Sequence, residues 1–99
     1  SYVDEHHHTA DLGLMIGHPD ARGKGYGLKA WMLAMKYLFN EKQIRKITGG
    51  TNSLNHAMIR IMQNAGMSPE GCQKEQELIE GKPTDIVYFG LINKNWQHA

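Results

Sequence analysis

The sequence predicts an α+β (α/β) domain, a mixed β-sheet with two helices in the order strand, helix, strand, helix, hairpin. Three observations predict it. A short apolar segment, Asp11–Gly17 (DLGLMIG), runs into a glycine-rich loop and then a stretch of helical period. A second strand-like and helix-like pair follows at Arg45–Thr51 and Leu54–Ala65. The last third holds two alternating arms, Glu70–Glu80 and Asp85–Asn93, around Gly81-Lys82-Pro83-Thr84. Strands separated by helices pair in parallel, whereas a tight hairpin pairs antiparallel, so the sheet is mixed.

Each element has a local reason. Asp11–Gly17 is apolar, short and closed by Gly-His-Pro-Asp, the pattern of a buried strand. Leu28–Asn40 carries Leu28, Trp31, Met32, Met35, Leu38 and Phe39 at helical spacing. Ala30, Ala34 and Tyr37 occupy another side, so little of this helix is expected to be freely solvated. Its tryptophan and methionines read as core. Arg45–Thr51 is a strand with a glycine-interrupted end. Asn52 or Ser53 is expected to cap the helix Leu54–Ala65, whose stripe is Leu54, Ala57, Met58, Ile61, Met62 and Ala65. Gly66 suits the left-handed position past its end. In the last arm Val87, Phe89 and Leu91 face one way, and Ile86, Tyr88 and Ile92 the other.

Composition narrows the function. The chain has 99 residues, a single or partial domain over 1–99, with 11 basic and 10 acidic residues for a net charge of +1. Such a balance gives no long-range case for nucleic acid or an anionic membrane. One cysteine, Cys72, excludes an internal disulfide and a multi-cysteine zinc site, and a reducing, cytoplasmic compartment is expected. No apolar run nears the ~20 residues that span a bilayer, and no signal peptide is visible. The chain begins at Ser1 without methionine, which reads as processing or truncation. His6-His7-His8 reads as an exposed turn, because neighbouring side chains on extended backbone diverge. No metal is expected.

The loop Ala21-Arg22-Gly23-Lys24-Gly25-Tyr26-Gly27 carries the most chemistry. It opens a helix, where unpaired N–H groups and the helix dipole favour an anion. Its glycines let the backbone approach, and Arg22 and Lys24 add charge. The physical reading is a phosphate or pyrophosphate cradle. A P-loop fails, since Lys24 is followed by Gly25 rather than a hydroxyl residue. Gly25, Gly27 and Ala30 satisfy a dinucleotide fingerprint, but 42–67 supplies no acidic residue for the ribose.

The run Arg22-Gly23-Lys24-Gly25-Tyr26-Gly27 instead matches Arg/Gln-x-x-Gly-x-Gly/Ala. With it, the chain resembles the GNAT superfamily of acetyl-CoA-dependent N-acetyltransferases. Asp11–Gly17 resembles the family's central strand, and Asn55-His56-Ala57 through Gly66-Met67 its Asn-x-x-Ala/Ser…Gly-Phe helix. Glu70-Gly71, Gly81–Asp85 and Tyr88 look like its closing hairpin. The resemblance runs from about Asp11 to Trp96 and is closest to the ribosomal-protein-alanine and polyamine branches. The family normally has a strand, two helices and two further strands before the central strand. Here Ser1–Asp4 match only the end of that part, so the chain resembles the C-terminal half.

The resemblance implies a mixed sheet whose central strand splays from Arg45–Thr51 to admit pantetheine. It implies that Met15, Ile16 and Gly17 bond the arm, that Arg22, Gly23, Lys24, Gly25, Tyr26 and Gly27 hold the pyrophosphate, and that Asn55 bonds the arm. A neutral primary amine would attack the thioester directly, with Asp11 as base through a water. His56 and the His6–His8 turn are lesser candidates for that role. A tyrosine often serves as general acid where this chain has Met62; Tyr88 is a substitute, and Cys72 reads as a structural thiol. Ribosomal-protein N-termini, polyamines, amino sugars and antibiotics all suit as acceptors. A non-catalytic acyl-CoA-binding module is the alternative, and a dinucleotide-binding or purely structural domain a third. A sheet lacking its first strands exposes an edge, so a homodimer by edge pairing or strand exchange is expected.

Overall fold

The computed structural model describes residues 3–13 and 27–96. Five strands and two helices are seen: β1 (Val3–Asp4), β2 (Thr9–Asp11), α1 (Leu28–Asn40), β3 (Lys46–Asn52), α2 (His56–Asn64), β4 (Ser68–Ile79) and β5 (Lys82–Ile92). The sheet order is β1-β2-β3-β5-β4. β2 and β3 are parallel, and every other neighbouring pair is antiparallel. The mixed sheet with two helices is the expected one. The parallel pair needs a crossover, which the connection through α1 supplies.

Register sorts the side chains into two faces. Ala10, Ile47 and Leu91 lie level, as do Gly49 and Phe89. Ala10, Ile47 and Phe89 join Trp31, Met35, Leu38 and Met62 in one buried cluster, so both helices cover the same face. Trp31, Leu38, Ile47 and Met62 are shut off from solvent almost completely. The opposite face presents Thr9, Asp11, Lys46, Thr48, Gly50 and Tyr88, and bears no helix among the described residues.

The structure corrects several boundaries. The strand expected at Asp11–Gly17 runs instead over Thr9–Asp11. Leu12 and Gly13 leave it in helical conformation, and residues 14–17 lie outside the described residues. α1 has the expected limits, but Leu28, Met32, Leu33 and Tyr37 are exposed, so its outer side is more solvated than expected. α2 starts at His56, and its cap is Asn55, whose Oδ1 accepts from Met58 N at 3.1 Å. Asn52 Oδ1 accepts from Leu54 N and closes the turn before it. Leu54 and Ala57 face solvent, leaving Met62 and Ala65 as the buried stripe. Gly66 has φ +88°, as the helix stop requires.

The hairpin turn is Glu80–Gly81, both at positive φ, and Lys82–Thr84 already belong to β5. Two positive φ values in a two-residue loop match the twist of the flanking strands. β4 also carries an irregularity between Gln73 and Glu77, where the register against β5 shifts. The His6–His8 turn is exposed as expected, with His7 Nδ1 3.0 Å from Asp4 Oδ2. No helix among the described residues is long and apolar enough to cross a membrane.

Candidate active site

The parallel ladder is short. Thr9 pairs with Lys46, Ala10 with Ile47 and Asp11 with Thr48, and there it ends. β3 continues to Asn52, and over Gly49–Asn52 its ladder partner among the described residues is β5 alone. From Gly49 onward no strand among the described residues pairs with the β2-facing edge of β3. Backbone groups left without a strand partner are a ready template for an extended ligand.

Two glycines permit close approaches beside this edge. A Cβ on Gly13 would stand 3.1 Å from Asp11 Oδ1, 3.3 Å from Gly50 N and 3.4 Å from Gly50 O. The Asp11 carboxylate and the Gly50 main chain thus converge on the space that Gly13 leaves empty. A Cβ on Gly50 would meet the Tyr88 ring at 2.8 Å. Tyr88 lies across Gly50 and donates its hydroxyl to Gln73 Oε1 at 2.8 Å.

On the near side of the same point lies a cavity of about 500 Å³. Asp11 and Thr48, the last ladder pair, form part of its wall, together with Asp4, His7, Arg45 and Lys46. Asp11 therefore belongs both to the cavity and to the place where the strands part. The cavity's charges are largely engaged. His7 donates to Asp4 from ring and backbone and holds the Asp4 carboxyl below its usual value. Lys46 Nζ is 2.9 Å from Glu70 Oε1, and Arg45 Nε donates to His7 O at 3.2 Å. Thr48 Oγ1 donates to the Ala10 carbonyl at 3.4 Å, tying the two strands at their last paired level.

Of the residues expected to act as base or to bind acetyl-CoA, three lie among the described residues. Asp11 stands at the parting of the strands. Gly27 is the residue before α1; it has no side-chain cap, and a Cβ there would meet nothing within 4 Å. Asn55 caps α2 just beyond the end of β3, its N–H donating to Asn52 O at 3.1 Å. Met15, Ile16, Gly17, Arg22, Gly23, Lys24, Gly25 and Tyr26 lie outside the described residues. Met62 is wholly buried in the core, Cys72 is an exposed thiol on β4, and His56 is exposed. Among the described residues no three His, Cys, Asp or Glu side chains converge as a metal site would. Sequence reasoning missed Gly13, Thr48 and Gly50; the Gly49-Gly50 pair in an otherwise β-forming run was their signal.

Comparison with known proteins bears on the same geometry. The profile of the acetyltransferase (GNAT) domain matches residues 1–68. An uncharacterized N-acetyltransferase of Bacillus subtilis, YnaD, is 26% identical over 89 residues, spanning 90% of this chain and 52% of that protein. A ribosomal-protein-S5-alanine acetyltransferase from Vibrio fischeri superposes with TM-score 0.76 at 17% identity, over 99% of this chain and 53% of its own. A spermidine/spermine N-acetyltransferase from Vibrio cholerae superposes with TM-score 0.72 at 20% identity, over 91% of this chain and 52% of its own. The chain thus spans about half the length of the relatives it matches.

Proposed function

This chain belongs to the GNAT acetyltransferase family, and from that premise we propose that it transfers an acetyl group from acetyl-CoA to a primary amine by direct attack on the thioester. The observation that carries this reading is the place of Asp11, which closes the β2–β3 ladder among the described residues and also lines the cavity. A two-substrate transfer needs a polar group of this kind within reach of the acceptor.

The residues present fit acetyl-CoA. Among the described residues β3 has no strand partner on its β2 side over Gly49–Asn52, and Gly13 lets the chain after β2 come close to Gly50. Met15, Ile16 and Gly17 would bond the pantetheine arm, and the main chain of residues 22–27 would hold the pyrophosphate. Asn55 would add a contact to the arm with whatever bonding capacity its cap leaves. Bound acetyl-CoA supplies a carbonyl activated as a thioester, with a thiolate that leaves readily.

The chain's own part is to hold the amine and take its proton. A lysine-like amine has a pKa of ~10.4 and is mostly protonated at neutral pH. Asp11 accepts that proton, through a water because its side chain is short. A main-chain N–H at the parted strands would face the developing oxyanion. The acceptor class follows the structural neighbours, whose names specify ribosomal-protein-S5 alanine and spermidine or spermine. The exposed, unoxidised Cys72 thiol supports a cytoplasmic protein. The edge at β1 is the surface we assign to pairing or strand exchange with a second copy.

A second reading is a non-catalytic acyl-CoA-binding module. It is favoured by Met62, an apolar core residue where relatives often carry a proton-donating tyrosine, and by Tyr88, whose hydroxyl is committed to Gln73. Thiol release from acetyl-CoA across a panel of amines separates the two. The transferase reading expects release that depends on the amine. Heat protection by CoA without release under any amine would establish the binding module, and no heat protection at saturation would sink both.

A further inference from the structure

Glu70 occupies a β-bulge. Pro69 pairs with Phe89 and Gly71 with Tyr88, so Glu70 is an extra residue between two pairs that are adjacent on β5. A bulge re-aims a side chain, and bulges gather next to active sites. Here the Glu70 side chain crosses β5 and reaches β3, where Oε1 is 2.9 Å from Lys46 Nζ. Gly90 permits the crossing, because a Cβ there would stand 2.6 Å from Glu70 Oε1. The bulge interrupts the ladder and the glycine weakens the strand. The ion pair they serve has side chains 27% and 37% exposed, and such a pair adds little to stability. Stability of the sheet is therefore not what the arrangement supplies.

What Glu70 holds gives the pair a meaning. Lys46 lies level with Thr9 of β2, and Asp11 stands two residues further along that strand, on the same face. Lys46 and Asp11 both line the cavity. A long side chain reaches a diagonal neighbour of this kind. The other carboxylate on the cavity wall, Asp4, accepts from the His7 ring and from the backbone N–H groups of His6 and His7. Without Glu70, the Lys46 ammonium has Asp11 within its reach. An ammonium beside a carboxylate stabilises the charged form and makes it a weaker base. In the sheet order β2-β3-β5-β4, Glu70 pulls Lys46 from the opposite side.

We propose that Glu70 is a positioning residue for the transfer: it draws the Lys46 ammonium toward β5, away from the side on which β2 carries Asp11, so that this cation does not weaken Asp11 as a base. This rests on the transferase reading above, with Asp11 as the proton acceptor. Gly90 completes the device, because a side chain at that position would drive the Glu70 carboxylate off its path.

The test has a structural and a kinetic readout. Nuclear Overhauser contacts locate the Lys46 side chain without any turnover. Its ε-protons are expected beside the Gly90 α-protons in the parent. In Glu70→Gln, which keeps the size and removes the charge, they are expected beside the Asp11 β-protons. In amine-dependent thiol release from acetyl-CoA, Glu70→Gln is expected to lower kcat ~10-fold and to leave KM for acetyl-CoA in place. The double variant Glu70→Gln/Lys46→Met has no ammonium to turn toward Asp11 and is expected to recover most of that loss. Lys46 contacts that stay at Gly90 in Glu70→Gln would overturn the positioning role and leave the transferase reading standing. So would an unchanged kcat in that variant, or a loss that the double variant does not recover. A parent chain that releases no thiol with any amine would sink the transferase reading itself, and with it any role of Glu70 in transfer.

Discussion

Tyr88 lies so close across Gly50 that a Cβ on residue 50 would stand 2.8 Å from its Cε1 and 2.9 Å from its Cδ1. The two are directly paired across β3 and β5, on the helix-free face. The glycine is thus required by its neighbour rather than by its own backbone. Gly50→Ala must push the ring aside and disturb the Tyr88–Gln73 hydrogen bond. Overpacking of this kind costs about 1–3 kcal/mol. Urea unfolding should show a lower midpoint for Gly50→Ala, and Tyr88→Ala in the same chain should recover most of it. Additive losses in the double variant would mean the contact is not the cause.

Asp11 should separate chemistry from binding. Asp11→Asn keeps the size and the polar atoms but cannot take a proton. If Asp11 is the base, kcat/KM for the amine should drop about 10²–10⁴-fold. The dissociation constant for acetyl-CoA should stay within a factor of about two, since the arm is held elsewhere. Loss of cofactor affinity in step with activity would assign Asp11 to the shape of the cleft instead.

The sequence exposed some of this architecture and hid the rest for physical reasons. α1 was legible to the residue because its apolar spacing begins directly after Gly27 and lasts three turns. The segment after Asp11 was not. Leu12 is fully buried, and a short apolar run signals burial without saying whether the backbone is extended or helical. The hairpin turn was displaced because Pro83 looked like a turn residue. It stands in β5 opposite Leu78, in a stretch where β4 is the sole ladder neighbour among the described residues, so its missing N–H breaks no second ladder. The true turn uses Glu80 at φ +52°, which no residue preference announces. Asp11 was legible as a candidate by position. Its pairing with Thr48 and its approach to Gly13 and Gly50 join segments far apart in the chain, and no local pattern encodes them.

Asn55 carries a structural duty that must be kept apart from any contact with the acyl arm. Its side chain accepts from Met58 N and caps α2. Asn55→Ala should lower stability by ~1 kcal/mol, the usual loss for a removed cap. Asn55→Ser preserves a capping oxygen and should restore most of that stability. If the amide also reaches the arm, Asn55→Ser should still bind acetyl-CoA several-fold more weakly than the parent. Calorimetric titration of the serine variant decides it: parental affinity would confine Asn55 to capping.

The irregularity in β4 predicts a pH-dependent hairpin. Asp85 Oδ1 accepts from Glu75 N at 2.9 Å and Oδ2 is 3.4 Å from Lys74 Nζ, so one carboxylate fastens the displaced backbone of Lys74 and Glu75. The Glu75 N–H is the main cause that holds the Asp85 carboxyl below its ordinary 3.8, with Lys74 adding to it. A carboxyl depressed in the folded state contributes stability above its unfolded value, and loses it as pH falls through the folded one. The fastening should therefore be intact at neutral pH and release only below 3.8. Residues at a register shift keep an edge strand from pairing freely, so release would leave β4 more open to association. The Glu75 amide shift followed by NMR should titrate with a midpoint below 3.8, and Asp85→Asn should abolish that titration. A midpoint at or above 3.8 in the parent would mean that the carboxylate does not hold the strand in this way.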